Sequence, residues 1–351
     1  MRFDGATDAP LARWLQALRA AAPGVLLALL VAAGAMAAAP LIAPLMPVPA
    51  MVLALVFGIV LMPLGRRPIF EAGTAFCIRT VLRVAVALLG LRIAWSDIAA
   101  LGAGVAVLVV AAMAATLVAG LALARLLGQT PGFGALAGAG TAVCGASATL
   151  ATASVLPAYK GRDAEIVFVV IAVNALSTLA MLLYPALCGA LGFDAHTTGI
   201  VLGATIHDVA QVVGAGYAVS DAAGNAAVIV KLFRVFLLLP VVLALGWWFA
   251  RAGARTAPPA RVPVPVFALA FLLLCVVNSI VPEIPGVAAA YAPLKRVLVE
   301  ASSFGLMLAI AALGLKTSFA DIAALGWRHV ATVSGTTLVI LAVVVAGVGL
   351  G

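Results

Sequence analysis

The chain has 351 residues, of which 66% are hydrophobic and only 9% are charged, and its formal net charge is +8. A soluble globular protein carries about 25% charged residues, so this composition excludes an ordinary soluble domain. The basic residues are scattered over loops between apolar stretches, which is the positive-inside pattern of a membrane protein rather than a nucleic-acid-binding surface. We therefore expect an all-α polytopic membrane protein, whose partner is the lipid bilayer and not a nucleic acid.

The chain begins with a basic leader, residues 1–22, which includes Arg2, Arg13 and Arg19. No convincing cleavage site follows it, so we interpret it as a cytoplasmic segment rather than a signal peptide. Residues 23–351 are predicted to form a single transmembrane domain, in which apolar stretches of spanning length recur. The predicted spans are 24–45, 48–64, 77–95, 98–127, 163–191, 224–250, 262–281, 295–314 and 322–350.

Two further segments, 132–157 and 198–219, are rich in glycine and polar residues. Lipid offers no hydrogen bonds to a broken helix, so irregular backbone at membrane depth is buried in protein or lines a wet cavity. Each segment is long enough to cross as a broken helix, for about eleven spans in all, or to return as a re-entrant hairpin, for about nine. The hairpin alternative places Lys160 and Arg162 inside and fits the charge bias better. The sequence leaves both alternatives open.

The residues Leu89–Gly102 are repeated as Leu313–Gly326, with nine of fourteen positions identical. Under either topology the two copies lie an odd number of crossings apart, so they run in opposite directions. Inverted repeats of this kind underlie alternating access in secondary transporters. Within the copies, Asp97 and Asp321 are predicted to cap the helices that begin with Ile-Ala-Ala.

Charged residues inside apolar segments are costly and are therefore functional candidates. His207 and Asp208 lie in the middle of the second glycine-rich segment, and Gln211 follows one helical turn after His207. Histidine can change charge near neutral pH and a buried carboxylate can hold a proton, so we predict proton coupling through Asp208 or His207. Lys231 and Arg234 share one face of an apolar helix and are predicted, with His207 and Gln211, to bind substrate. A hydrogen bond to broken backbone is the alternative role for His207, and snorkelling is the alternative for the two basic residues.

The first glycine-rich segment contributes small residues to the predicted substrate site. Such residues let backbone amides approach a ligand closely, and the N-termini of half-helices favour anions. A packing seam of small residues is the alternative. The predicted substrate-binding residues of this segment are Thr141, Cys144, Gly145, Ser147 and Thr149. Basic side chains near the breaks favour an anion over a sodium ion, because a cation site would be expected to place carboxylates there.

Three stretches resemble the signatures of the YeiH-type sulfate exporter family of bacterial inner-membrane proteins, within the cation:proton antiporter and anion transporter superfamily. They are Cys144–Ala148, Ile206–Val213 and Lys231–Arg234. The resemblance covers nearly the whole chain. It implies an inverted-repeat transporter fold of ten or eleven helices in the bacterial inner membrane, with two broken or re-entrant segments, and it leaves a homodimer open.

We therefore expect a secondary transporter of a small anion, with sulfate as the leading substrate and H⁺ or Na⁺ as the coupling ion. A sodium- or proton-coupled cation antiporter is the alternative in the same class. An intramembrane enzyme, with Cys144 or Ser147 as nucleophile and His207 and Asp208 as acid and base, is disfavoured because the sequence has no HExxH or GxSxG motif. The four cysteines lie singly, without CxxC spacing, so neither a metal site nor a disulfide framework is expected. No enzymatic activity and no cofactor are expected either.

Overall fold

The computed structural model of the protein describes residues 9–44, 49–251, 266–285, 287–317 and 326–349. Within these ranges the secondary structure is helical and contains no strand, which confirms the predicted all-α class. Eight apolar segments of the described chain are long enough to cross a membrane. The described residues of Met1–Ala85 with Glu300–Thr317 form one compact unit, and those of Val86–Val299 with Ser318–Gly351 form a second. The predicted single domain over 23–351 stays a prediction.

The first unit is a set of closely packed helices. Its helices are α1 (Ala9–Ile42), α2 (Ala50–Val60), α3 (Met62–Gly65), α4 (Pro68–Phe76) and the start of α5 (Leu82–Leu88), with a π-helical turn, Cys77–Val81, between the last two. The described part of the leader, residues 9–22, continues within α1 into the first span. Gly24 on α1 meets Gly73 on α4, and Gly58 on α2 meets Gly314, because glycine lets helix backbones approach closely.

The second unit contains both glycine-rich segments. After a 3₁₀ turn at Leu89–Arg92, its helices are α6 (Trp95–Ala100), α7 (Gly102–Leu126), α8 (Pro131–Ala142), α9 (Ala146–Ala153), α10 (Arg162–Ala190), α11 (Ala195–Thr205), α12 (Val209–Val219), α13 (Asp221–Phe236), α14 (Leu238–Arg251), α15 (Val266–Ile280), the first part of α16 (Ala288–Lys316) and α17 (Trp327–Gly349). The last turns of α16 belong to the first unit.

The first glycine-rich segment is a re-entrant hairpin, made of α8 and α9 with a break at residues 143–145. The start of α8 lies beside Tyr159, six residues after the end of α9, because a Cβ atom at Gly132 would lie 2.5 Å from the Tyr159 ring. Thr130, which caps α8, also lies close to Glu165 at the start of α10. The segment therefore returns to the end of the unit from which it starts.

The second glycine-rich segment is also a re-entrant hairpin, made of α11 and α12 with a break at residues 206–208. Gly199, near the start of α11, and Gly216, near the end of α12, both lie against Ala223 at the start of α13. Both arms of this hairpin therefore begin and end at the same level. The contacts show that neither glycine-rich segment crosses the unit. Segment length alone could not distinguish a crossing helix from a re-entrant hairpin.

The two hairpins enter from opposite ends of the second unit. The end at the base of the first hairpin carries the basic residues Arg125, Lys160, Arg162, Arg251 and Arg328. Asp194 and Asp221 lie at the base of the second. The positive-inside rule predicts that the first end is cytoplasmic. The first arms, α8 and α11, have 12 and 11 residues. At 1.5 Å per residue each reaches about 17 Å, roughly half of a hydrocarbon core of about 30 Å.

The helices that follow the two repeat copies run in opposite directions. α7 and α17 pack side by side, and Gly335 near the start of α17 meets Leu123 near the end of α7. Towards their other ends, Gly347 meets Leu108. This antiparallel packing confirms the predicted inverted repeat for the helices that leave each copy.

Asp97 caps a helix, but that helix begins earlier than predicted. The Asp97 carboxylate accepts a hydrogen bond of 2.8 Å from the amide of Ala94, at the start of α6. The helix therefore begins at Trp95 and not at Ile98. Asp321, the corresponding residue of the second copy, lies outside the described residues.

Candidate functional site

The tips of the two hairpins meet at the side chain of Lys231 on α13. This side chain is fully buried. Its ammonium group donates to the carbonyl oxygens of Val143 at 2.7 Å, of Ile206 at 3.0 Å and of His207. The first oxygen belongs to the first hairpin and the other two to the second, so one cation links both tips.

Arg234, one turn further along α13, makes the same kind of link. Its guanidinium group donates to the carbonyl oxygens of Thr141 at 2.8 Å and Ala142 at 3.0 Å, at the end of α8. It also donates to Gly203 at 3.0 Å and Ile206 at 2.9 Å, at the end of α11. Carbonyl groups at a helix C-terminus lack intrahelical partners and carry partial negative charge. The two cations therefore satisfy and neutralise both half-helix ends.

These bonds define what the two basic residues do in this structure. All three donors of Lys231 and four of the five donors of Arg234 are directed at backbone carbonyls. Neither side chain snorkels to an interface, because both are 0% exposed. Direct substrate contact by Lys231 and Arg234 stays a prediction.

The N-terminal ends of α9 and α12 also lie at the tips, and they differ. At α12, the Asp208 carboxylate accepts from the amide of Ala210 at 3.2 Å, while the Asp208 amide donates to Ser177 at 3.0 Å. At α9, the N-cap residue is Gly145, with a φ of +65° that favours glycine, and glycine has no side chain to cap the helix. The Cys144 sulfur lies within hydrogen-bonding reach of the Ala148 amide, so the first turn is only partly capped. Ser147 in the first turn of α9 is exposed. Of the two N-termini at the tips, that of α9 is therefore the more accessible one.

The other predicted residues of the first hairpin are mostly enclosed by protein. Thr141 and Thr149 are fully buried, and Cys144 is nearly so. The hydroxyl of Thr141 lies 3.0 Å from that of Thr336 on α17, and the hydroxyl of Thr149 donates to the Gly145 carbonyl at 3.1 Å. These two threonines hold the break in place, and their contact with a substrate stays a prediction.

Gln211 is held by polar residues of α10. Its carbonyl oxygen accepts from Ser177 at 3.2 Å, and its amide nitrogen donates to Asn174 and Thr178, both at 3.2 Å. The polar patch of α10 therefore ties α10 to α12. A substrate contact by Gln211 stays a prediction.

His207 lies at the tip of the second hairpin and faces α17. Its ring is fully buried, and its Nε2 lies 3.0 Å from the hydroxyl of Thr337. The Nδ1 atom has no hydrogen-bond partner among the described residues. Asp208, by contrast, is half-buried. Proton coupling through either residue stays a prediction.

A polar cluster that the sequence analysis missed closes the base of the first hairpin. The buried carboxylate of Glu165 accepts from the Tyr159 hydroxyl at 2.7 Å and from Thr130 at 3.5 Å. Its other oxygen lies 3.7 Å from Nε2 of His329. The four residues come from four separate segments, so no spacing in the sequence brings them together.

The base of the second hairpin has a different cluster, built around Arg92. Its guanidinium group pairs with Asp221 at 2.9 Å and lies 4.8 Å from the centre of the Tyr217 ring. The Tyr217 hydroxyl donates to Asn225 at 2.8 Å. Arg92 thus joins the end of α12 to the start of α13.

Comparisons with known proteins cover most of the chain. The family described as conserved hypothetical protein 698 matches residues 23–333. The UPF0324 membrane protein TauZ of Paracoccus pantotrophus is 42% identical over 305 residues, which are 86% of this chain and 88% of TauZ. A UPF0324 membrane protein of Chlorobaculum tepidum is 41% identical over 278 residues, 78% of this chain and 75% of its own. A UPF0324 membrane protein of Bordetella bronchiseptica is 41% identical over 268 residues, 74% of this chain and 80% of its own. No solved structure matches. The relatives and the apolar helices confirm a multi-pass bacterial membrane protein.

Proposed function

The chain belongs to the family described as conserved hypothetical protein 698, and on that premise we propose that it is a secondary transporter of a small anion. Transport proceeds by alternating access around a site at the tips of the two hairpins. Inverted repeats, and broken helices that end at the membrane midplane, are the features that secondary transporters share. Neither an enzymatic step nor a cofactor is part of this proposal.

The observation that carries the proposal is that the hydrogen-bond acceptors at the tips already have donors, whereas donors at the start of α9 lack intrahelical acceptors. The carbonyl oxygens that could coordinate a cation are already bound by Lys231 and Arg234. The amide groups in the first turn of α9 lack intrahelical acceptors, as at every helix N-terminus, and the neighbouring Ser147 is exposed. What the tips offer a ligand is therefore hydrogen-bond donors, which suits an anion.

The balance of charge at the tips points in the same direction. Lys231 and Arg234 bring two positive charges to the breaks, and Asp208 brings one carboxylate. Position 145 lies beside the His207 carbonyl, so the N-terminus of α9 begins where the two hairpins meet. A sodium cage would need free carbonyl and carboxylate oxygens. The cation antiporter therefore has less support than the anion transporter.

Sulfate is the leading substrate in this proposal, and the proton is the leading coupling ion. Sulfate follows from the resemblance to the YeiH-type exporters, and its four oxygens can accept from several amides at one helix N-terminus. Asp208 is the proposed proton carrier because its carboxylate is half-buried and lies at the tips. His207 is the second proposed carrier, through the ring that faces Thr337.

The test is sulfate counterflow in proteoliposomes with two variants of Ser147. Ser147→Asp places a carboxylate in the first turn of α9, where it stabilises the helix and repels an anion. Ser147→Asn is the matched control of the same shape without the charge. We expect labelled sulfate to accumulate in wild-type vesicles, Ser147→Asp to slow this at least about tenfold, and Ser147→Asn to stay within about threefold, since about 1.4 kcal/mol corresponds to tenfold.

Other outcomes of the same measurement assign a different function. If Ser147→Asp transports as fast as wild type, the anion does not bind at α9. If wild-type vesicles move neither sulfate nor chloride, phosphate or methanesulfonate, the anion transporter is excluded. Flux driven by a sodium or proton gradient with no permeant anion present would establish the cation antiporter instead.

A further inference from the structure

The cluster at the base of the first hairpin has the composition of a proton-binding site. Glu165 and His329 are the acid and the base of this cluster, and a carboxylate oxygen of Glu165 lies 3.7 Å from Nε2 of His329. The side chains are 12% and 20% exposed, so the pair is largely shielded from solvent but not sealed. Opposite charges at this separation attract each other more strongly where water is scarce.

The ring of His329 faces the Glu165 carboxylate on one side and apolar rings on the others. The ring lies edge-to-face against Phe133, with 4.6 Å between centroids, and against Phe168, with 5.7 Å. Both phenylalanines are buried. Apolar neighbours give a protonated imidazole little polar compensation, so the carboxylate is the main group that can balance its charge.

The other charged and titratable groups near the pair each have a contact of their own. Burial and the hydrogen bond to Glu165 raise the pKa of the Tyr159 phenol above its ordinary value, so Tyr159 keeps its proton and donates a hydrogen bond to the carboxylate. Arg162 lies near Tyr159 and pairs with the exposed Asp163 at 3.5 Å. Arg328, which precedes His329, extends over the ring of Trp327 at 5.9 Å.

The pair is joined to the hairpin tips by one face of α17. Thr332, Thr336 and Thr337 follow His329 at three, seven and eight positions, so all four side chains lie on one side of the helix. Thr336 contacts Thr141 at the first tip, and Thr337 contacts His207 at the second. The distance along the axis is about 12 Å at 1.5 Å per residue. A change at His329 thus acts on the helix that touches both tips.

We propose that Glu165 and His329 form a proton-binding site at the cytoplasmic base of the first hairpin, and that its protonation is coupled to anion transport. This rests on the proposed function and places a coupling proton away from Asp208 and His207. Proton uptake by His329 creates an ion pair with Glu165 and fastens α17 to α10 and to the base of α8. Proton release breaks the pair and frees this end of α17.

The first experiment measures the protonation of His329 by NMR and does not depend on transport. The chain has three histidines, so the imidazole signals of protein labelled at histidine can be assigned in nanodiscs with His196→Gln and His329→Gln. We expect the His329 signal to titrate, and its protonated fraction at a fixed pH to fall in Glu165→Gln. The control is Asp163→Asn, which removes an exposed carboxylate two residues away and leaves the signal unchanged. A His329 signal that does not titrate, or that ignores Glu165→Gln, overturns the proposal.

The second experiment measures anion counterflow with equal pH on both sides, at about pH 5.5 and pH 7.5. We expect wild type to differ at least about threefold between the two, and Glu165→Gln and His329→Gln to bring the ratio close to one. Asp163→Asn and His196→Gln should keep the wild-type ratio. A wild-type ratio of one, or an unchanged ratio in both variants, overturns the coupling. Wild-type protein that moves no anion while His329 titrates overturns the proposed function and leaves the proton site standing.

Discussion

The two re-entrant hairpins have the same form and different ends. At the tips, the second arm of the first hairpin begins at Gly145, which has no side chain to cap it, whereas that of the second hairpin begins at Asp208, whose side chain caps it. At the bases, the first is closed by the buried Glu165, and the second by the ion pair between Arg92 and the exposed Asp221. The shared hairpin form follows from the membrane environment, because the free N–H and C=O groups of a broken helix must find hydrogen-bond partners within the protein. The ends are free to differ, and the proposed anion and proton sites lie at the ends of the first hairpin.

The largest effect is expected where the hairpins are alike, at their shared cation. Arg234→Ala removes the donors of four carbonyl bonds at the two half-helix ends. Each buried polar group left unsatisfied costs about 1–3 kcal/mol, so the variant should lose several kcal/mol. We expect its midpoint of thermal unfolding in detergent to fall by about 10 °C or more.

Arg67→Ala is the control for this measurement, because Arg67 is exposed and lies in the turn between α3 and α4, just before the span that begins at Pro68. Its unfolding midpoint should stay within about 2 °C of wild type, as for most surface substitutions. An Arg234→Ala protein that melts like this control would show that the carbonyl bonds do not hold the tips.

A smaller and equal effect is expected in the arms. A Cβ atom would lie 2.7 Å from the Gly120 carbonyl at Gly134, and 2.4 Å from the Ala227 carbonyl at Gly203. Gly134→Ala and Gly203→Ala should each destabilise the protein by about 1–3 kcal/mol, because backbone has to move. Gly189→Ala, with no atom within 4 Å, should gain up to about 1 kcal/mol from helix propensity.

Denaturation in SDS of these three variants gives the comparison. If one of the first two variants is destabilised and the other is not, the arms of the two hairpins are not packed equivalently. If Gly189→Ala loses as much stability as they do, close packing is not the cause.

The smallest effect separates the hairpins by pH. The first arm of the second hairpin is capped by Asp194, whose carboxylate accepts from the Thr197 amide at 2.7 Å, and that of the first by the neutral Thr130. The bonds from Thr197 lower the pKa of Asp194 below its ordinary value of 3.8. A lowered pKa means that the cap stabilises the folded state fully above this value and is lost as the pH falls through the folded-state pKa. Below about pH 3.8, the first turn of α11 should therefore lose hydrogen-exchange protection, and the first turn of α8 should not.

Asp194→Asn is the control for that prediction, because asparagine caps a helix without titrating. Its exchange at α11, corrected for the intrinsic rate, should not depend on pH in the acid range. Equal loss of protection at α8 and α11 in the wild type would mean that acid loosens the whole unit and not one cap.

The glycine-rich composition predicted where both hairpins lie, and the contacts in the structure show that each returns instead of crossing. Glycine-rich stretches at membrane depth predicted breaks within 132–157 and 198–219, and the breaks lie at residues 143–145 and 206–208. Length alone could not separate crossing from return, since each stretch fits either. The contact of Gly132 with Tyr159 shows the return of the first hairpin. Charge bias in the sequence had favoured the same answer.

The sequence also identified residues at the site without identifying what they touch. Lys231 and Arg234 were singled out by charge and depth, and they do lie at both tips, but their donors are bound to carbonyls. Backbone partners carry no sequence signal. Glu165 and His329 were missed because each lies near the end of a span, where a charged residue is ordinary. Only the packing of α17 against α10 brings them together.

The junction on α13 has a mechanical consequence. Lys231 and Arg234 belong to one rigid helix, while the oxygens that they hold belong to both hairpins. Pulling the tips apart would leave these oxygens without donors in a dry interior. Separating either tip from α13 would therefore break several buried hydrogen bonds, so the two tips and α13 form one mechanical unit.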